Sequence, residues 1–98
     1  MVAKLPPIHP GEILREEYLM PLGLKPYTLA KTLRVPRTRI ERLVAEQTPV
    51  TPDTALRLAK FFDTTPQFWM NMQTSYDLAI ASEAKRAEID AIPHRNAA

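Results

Sequence analysis

The sequence predicts an all-α domain of five helices with a helical extension at the C-terminal end. Apolar residues recur at steps of three and four, the period of a helix with one buried side, and nowhere in the strict alternation of a half-buried strand. Prolines stand where helices should begin, at Pro10, Pro26, Pro52 and Pro66, and the last two follow a threonine able to cap. The stretch from Lys25 to Gln47, KPYTLAKTLRVPRTRIERLVAEQ, reads as two short helices joined by a sharp turn.

Residues 1–8, with Pro6 and Pro7, should form an extended arm. Helix 1 begins at His9 to Gly11, because a proline in the first turn loses no hydrogen bond and Glu12 favours the positive end of the helix dipole. It should run to about Met20, with Ile13, Leu14, Tyr18 and Leu19 inward and Arg15, Glu16 and Glu17 wet, until Pro21 stops it. Gly23 supplies a positive φ for the exit. Helix 2 starts at Pro26 behind Lys25, a poor cap that predicts fraying or a contact from Thr28, and ends near Leu33 or Arg34. Helix 3 spans about Arg37 to Ala45, so the helix-turn-helix covers 26–45. Helix 4 runs from Pro52 to about Phe62, with Ala55, Leu56, Leu58, Ala59 and Phe62 apolar and Arg57 and Lys60 outside. Helix 5 starts at Pro66 and carries Phe68, Trp69, Met72, Tyr76, Ala79 and Ile80 as its stripe. The helical domain is thus expected over 9–80. Residues 81–98 hold only Ile89 and Ile92 as large apolar groups, so they read as a frayed extension, an arm on a partner subunit or a disordered tail, with the last five disordered.

At 98 residues the chain has room for one small core. It has no cysteine, which excludes disulfides and thiolate metal sites, and its two histidines are far apart, so no metal or other cofactor is expected. No segment approaches the roughly 20 apolar residues of a membrane span, and the N-terminus lacks a signal-peptide run; a cytoplasmic protein without membrane attachment is the expectation. The net charge of +2 is modest, but its distribution is uneven. From Lys25 to Arg42 six cations (Lys25, Lys31, Arg34, Arg37, Arg39, Arg42) face one anion, Glu41, a balance of +5, while the rest of the chain carries −3. That segregation suits one anion-facing side on a mildly acidic body.

If Leu29, Leu33, Val35, Ile40 and Leu43 point inward and Ala30 allows the two helices to approach, helix 3 turns Arg37, Thr38, Glu41 and Arg42 outward, with Arg39 at its edge. An arginine fork matches guanine O6 and N7 in a DNA major groove, at roughly 1–3 kcal/mol of discrimination per good pair. Arg37 and Arg42 suit that role, Thr38 suits a thymine methyl or a phosphate, and Glu41 steadies Arg37 or Arg42, repels wrong sequences or accepts from cytosine, the first being preferred. The bland alternative is a solvated charged face. On helix 5, Trp69 and Phe68 are assigned to the core, whereas Tyr76, Leu78 and Ile80 are divided between core and a contact across a twofold axis. His9 reads as a helix-start residue bonded locally. Glu16 and Glu17 diverge on their helix, and with no nucleophile or convergent carboxylate pair an enzyme is not expected.

Several linked motifs carry a family resemblance: His9-Pro10-Gly11-Glu12-Ile13-Leu14, Leu22-Gly23-Leu24, Leu29-Ala30, Val35-Pro36-Arg37-Thr38-Arg39-Ile40, Thr54-Ala55-Leu56-Arg57-Leu58-Ala59, and Phe68-Trp69-Met70-Asn71-Met72-Gln73 with Tyr76-Asp77-Leu78. Over roughly Ile8 to Ile80 the chain resembles the HigA antitoxins, within the phage-repressor-like, XRE-type helix-turn-helix proteins. The resemblance implies a homodimer that binds a palindromic operator in double-stranded DNA, represses its own two-gene operon and neutralises a HigB-type toxin, a ribosome-dependent mRNA interferase. By position it places base reading on Arg37, Thr38 and Arg42, and backbone contacts on Tyr27, Thr28, Lys31 and Arg39. The chain departs from the family pattern at Arg34 and Glu46, where glycine is usual, and at Thr48, where a basic residue is frequent. Arg34 must then accept a left-handed conformation or reshape the turn. A stand-alone repressor without a toxin is the alternative, and an adaptor whose basic helix binds an acidic protein is a third reading.

Overall fold

The computed structural model describes residues 6–96, all helix and connecting turn. The first five residues of the expected arm and the last two of the expected disordered tail lie outside them. Helix α1 comprises Pro10–Ile13, a π-helical stretch Leu14–Leu19 and Met20–Leu22. It is followed by α2 (Pro26–Leu33), α3 (Arg37–Val44), α4 (Pro52–Phe62), α5 (Pro66–Ala84) and a short α6 (Arg86–Asp90). Helix α2 packs on α3 and α4 on α5, while α1 reaches both α3 and α5 and so ties the two pairs together.

Pro21 does not stop α1, contrary to expectation. A proline inside a helix lacks a donor and crowds the carbonyl four residues back. Here the helix is widened just before it, with Met20 N–H bonded to the Arg15 carbonyl, and it passes through Pro21 to end at Gly23. Gly23 takes φ 61° and ψ 29°, the left-handed exit its lack of a side chain allows. The start signals work as read. His9 Nδ1 accepts from Gly11 N–H at 2.9 Å, Thr51 Oγ1 from Thr54 N–H at 3.3 Å and Thr65 Oγ1 from Phe68 N–H at 3.1 Å. Helix α2 has no side-chain cap, and the Thr28 carbonyl accepts instead from the Thr32 hydroxyl within the helix.

The core consists of Leu14, Leu19, Leu29, Leu33, Ile40, Leu43, Val50, Leu58 and Trp69, with alanines 30, 55 and 59 where helices come close. Trp69 is fully enclosed, its ring beside Tyr18 at 5.2 Å and its indole N–H donated to Thr64 Oγ1 at 2.8 Å. Two expected core residues are elsewhere. Leu56 is 59% exposed, because it lies off the face that Ala55, Leu58 and Ala59 share, and Phe68 is 37% exposed, its ring edge-on to Trp69 at the rim. The other buried residue of α5 is polar, Gln73. Its Oε1 accepts from Val50 N–H at 2.7 Å and its amide donates to Asp77 at 2.9 Å, which satisfies the buried group and pins the loop entering α4.

Candidate nucleic-acid interface

Helix α3 is eight residues long, too short to be stable alone, so its neighbours must hold it. At its leading side the turn from α2 is set by Arg34, with φ 62° and ψ 45°, and by Val35 N–H reaching the Ala30 carbonyl at 3.0 Å. Of the two possibilities at Arg34, a left-handed conformation or a reshaped turn, the first is adopted, and Ala30 is buried at the crossing. Glu46, the other non-glycine residue at a usual glycine position, has φ 63° and closes the far end with its N–H on the Leu43 carbonyl at 2.9 Å.

That far end is also gripped by α1. A Cβ on Gly11 would stand 1.8 Å from the Leu43 carbonyl oxygen, so only glycine permits the contact. One turn on, Arg15 donates to the Val44 carbonyl and pairs with Glu46 at 3.2 Å, capping the last turn of α3 with a guanidinium. The flank is held through α4: Arg39 pairs with Asp53 at 2.5 Å, Asp53 with Arg57 at 2.9 Å, and Arg57 donates to the Leu33 carbonyl at 2.8 Å. Hydrogen bonds from Arg57 first and Arg39 second hold the Asp53 carboxyl below its ordinary pKa.

The side of α3 turned away from the core carries the expected residues. Arg37 is exposed, its Nε 2.8 Å from Glu41 and its guanidinium 5.4 Å from the centre of the Tyr27 ring, so Glu41 steadies Arg37. Thr38, Arg39 and Arg42 line one groove of about 360 Å³ with the hydroxyl residues Thr48, Thr51 and Thr54. Thr28 and Lys31 are exposed on α2, as is Tyr27. The first turn of α3 carries two arginines, no acid and no side-chain cap. Cations at the positive end of a helix dipole are unfavourable by a few tenths of a kcal/mol each, whereas an anion bound there is favoured. Such a surface can bind a polyanion and read the edges of its bases.

The three residues considered for a twofold contact are not equivalent. Tyr76 is half-buried with its ring edge-on to His9 at 4.8 Å, whereas Leu78 and Ile80 are 61% and 47% exposed. Sequence reasoning missed the supports of α3, namely Gly11, Arg15, Asp53 and Arg57. The four-residue spacing of Asp53 and Arg57 is the one signal that could have pointed to an ion pair along α4, and nothing in it indicates Arg39 as a third member.

With that geometry the chain is a helix-turn-helix fold, and comparison with known proteins agrees. A family model described as helix-turn-helix matches residues 14–69, and the chain belongs to this family, in its XRE-type branch. The virulence-associated protein I of Dichelobacter nodosus is 54% identical over 84 residues, covering 86% of this chain and 78% of that one. Antitoxin HigA-1 of Vibrio cholerae is 35% identical over 72 residues, 74% of this chain and 68% of the relative. Among solved structures, the Pseudomonas aeruginosa antitoxin HigA with the higBA promoter superposes with a TM-score of 0.89 at 43% identity, covering 93% of this chain and 99% of that one.

Proposed function

We propose that this chain is a sequence-specific DNA-binding antitoxin that represses its own operon as a homodimer and neutralises a HigB-type toxin. The observation that carries the reading is the exposed Arg37, Thr38 and Arg42 face on a helix fixed at both ends. Likeness to an antitoxin solved with its promoter supports it. Arg37 and Arg42 read base edges. Thr38 reads a base edge or a phosphate, and Tyr27, Thr28, Lys31 and Arg39 hold the DNA backbone. Tyr76, Leu78 and Ile80 meet their counterparts across the twofold axis, which sets two recognition helices about one turn of B-form DNA apart.

Mobility shift on a duplex from the region upstream of the gene tests the DNA reading. Preference over a shuffled duplex, lost in the Arg37→Ala plus Arg42→Ala variant, is the expected result; binding indifferent to both substitutions refutes it. The toxin reading is tested by co-purification with the product of the adjacent reading frame. A short basic protein that binds this chain and arrests growth without it is expected, and a neighbour that does neither contradicts it.

A further inference from the structure

Asp53 lies in the first turn of α4 and lines a hollow with Thr32, Leu33 and Lys60, and its partner Arg39 lines the groove with Thr38 and Arg42 in which the proposed function requires a phosphate. Its carboxylate draws Arg39 to 2.5 Å, and the partners are only partly buried, with side-chain exposures of 39% for Arg39 and 52% for Asp53. A phosphate therefore has access to the guanidinium. The same carboxylate is held by Arg57 at 2.9 Å, and Arg57 is itself anchored on the Leu33 carbonyl. When Arg39 leaves, Asp53 keeps a charged partner, so exchanging Arg39 between carboxylate and phosphate leaves no naked charge behind. The exchange costs one exposed ion pair, a small quantity.

We propose that Asp53 is a specificity-determining residue for the DNA binding proposed above: it latches Arg39 in the free protein, and a backbone phosphate releases it only when α3 is correctly docked. The inference rests on that DNA-binding reading. Loosely associated DNA meets a latched arginine and a carboxylate that repels phosphate. A docked operator places a phosphate where it bonds Arg39 and offsets the repulsion. Asp53 thus subtracts from non-specific affinity more than from specific affinity, which widens the ratio between them.

The experiment compares the full chain with its Asp53→Asn variant on two duplexes, the upstream region of its gene and a shuffled sequence of equal composition, over a series of salt concentrations. In Asp53→Asn the affinity for the shuffled duplex rises about fivefold and its salt dependence steepens by about one ion, while affinity for the upstream duplex changes less than twofold. In an Arg39→Ala background only the repulsion by the carboxylate is left, so the Asp53→Asn substitution raises affinity for both duplexes by the same factor and no longer changes their ratio. Equal changes on both duplexes, or no gain on the shuffled one, overturn the latch, whereas a parent chain that does not distinguish the duplexes overturns the DNA reading itself. Should Asp53→Asn not fold, Arg39→Ala alone decides: its loss on the upstream duplex exceeds that on the shuffled one by about fivefold if the latch exists, and equals it if not.

Discussion

Arg34, Glu46 and Asp63 all sit at helix ends with φ between 56° and 63°, where a side chain crowds its own backbone. Each reverses the chain after α2, α3 or α4, so the strain is accepted at the bends rather than inside the helices. Replacing Arg34 with glycine relieves it, less some added freedom of the unfolded chain, for a net gain of about 0.5–1 kcal/mol. Thermal unfolding followed by circular dichroism should show a rise of a few degrees, and a fall would mean that the Arg34 side chain contributes more than its backbone costs. Asp53 gives a second residue-scale prediction. Its folded pKa is depressed, so the stabilisation from its ion pairs is complete above the unfolded value, about 4, and is lost only as pH falls through the lower folded value. Carboxyl NMR titration should place the Asp53 midpoint below the ordinary aspartate value, and Arg57→Gln should move it up, Arg57 being the larger cause of the shift.

Among the elements, α1 has a role that its own sequence conceals. It was legible as an amphipathic helix, but Gly11 and Arg15 gain their meaning from the end of α3, more than 25 residues away, and no periodicity reports so distant a contact. Gly11→Ala drives a Cβ into the backbone of Leu43, which cannot rotate aside. A loss of about 1–3 kcal/mol in chemical denaturation is expected, with weaker DNA binding in the remaining folded protein. An unaltered midpoint would show that α1 and α3 can separate without cost. The same limit explains other differences between expectation and structure. Start signals are local, so the caps at Thr51 and Thr65 were readable, as was the left-handed bend at Arg34 from the departure at a glycine position. Pro21 was misjudged because a proline ends a helix only when the turn before it cannot widen. Leu56 and Phe68 were misplaced because apolar character shows that a residue can be buried, while the angle around the helix decides whether it is. Gln73 is not legible because its burial depends on the Val50 N–H, 23 residues away, which only the fold brings to its side-chain oxygen.

On the scale of the whole molecule, the proposed DNA-facing residues lie on α2 and α3, whereas the exposed Leu78 and Ile80 lie on α5. The basic stretch 25–42 and the frame of α2 and α3 were legible because an apolar stripe and an arginine-rich face lie on the same short segment. The acids that hold two of those arginines were only half legible: Glu41 was read as a steadying partner, whereas Asp53 comes from another helix. Leu78 and Ile80 lie exposed on α5 beyond the enclosed core, so Leu78→Asp with Ile80→Asp should leave helical content unchanged. Sedimentation should then show a monomer in place of the proposed dimer, and an unchanged dimer would move the twofold contact elsewhere. The central claim is that α3 is a rigid reading head for DNA. Titrating the upstream duplex against the parent chain and the Arg37→Ala plus Arg42→Ala variant tests it most directly. The account predicts salt-sensitive binding to the upstream duplex, a preference over shuffled sequence, and loss of that preference by about 10-fold or more in the variant; equal affinity for both sequences in the parent, or a preference that survives without the two arginines, would contradict it.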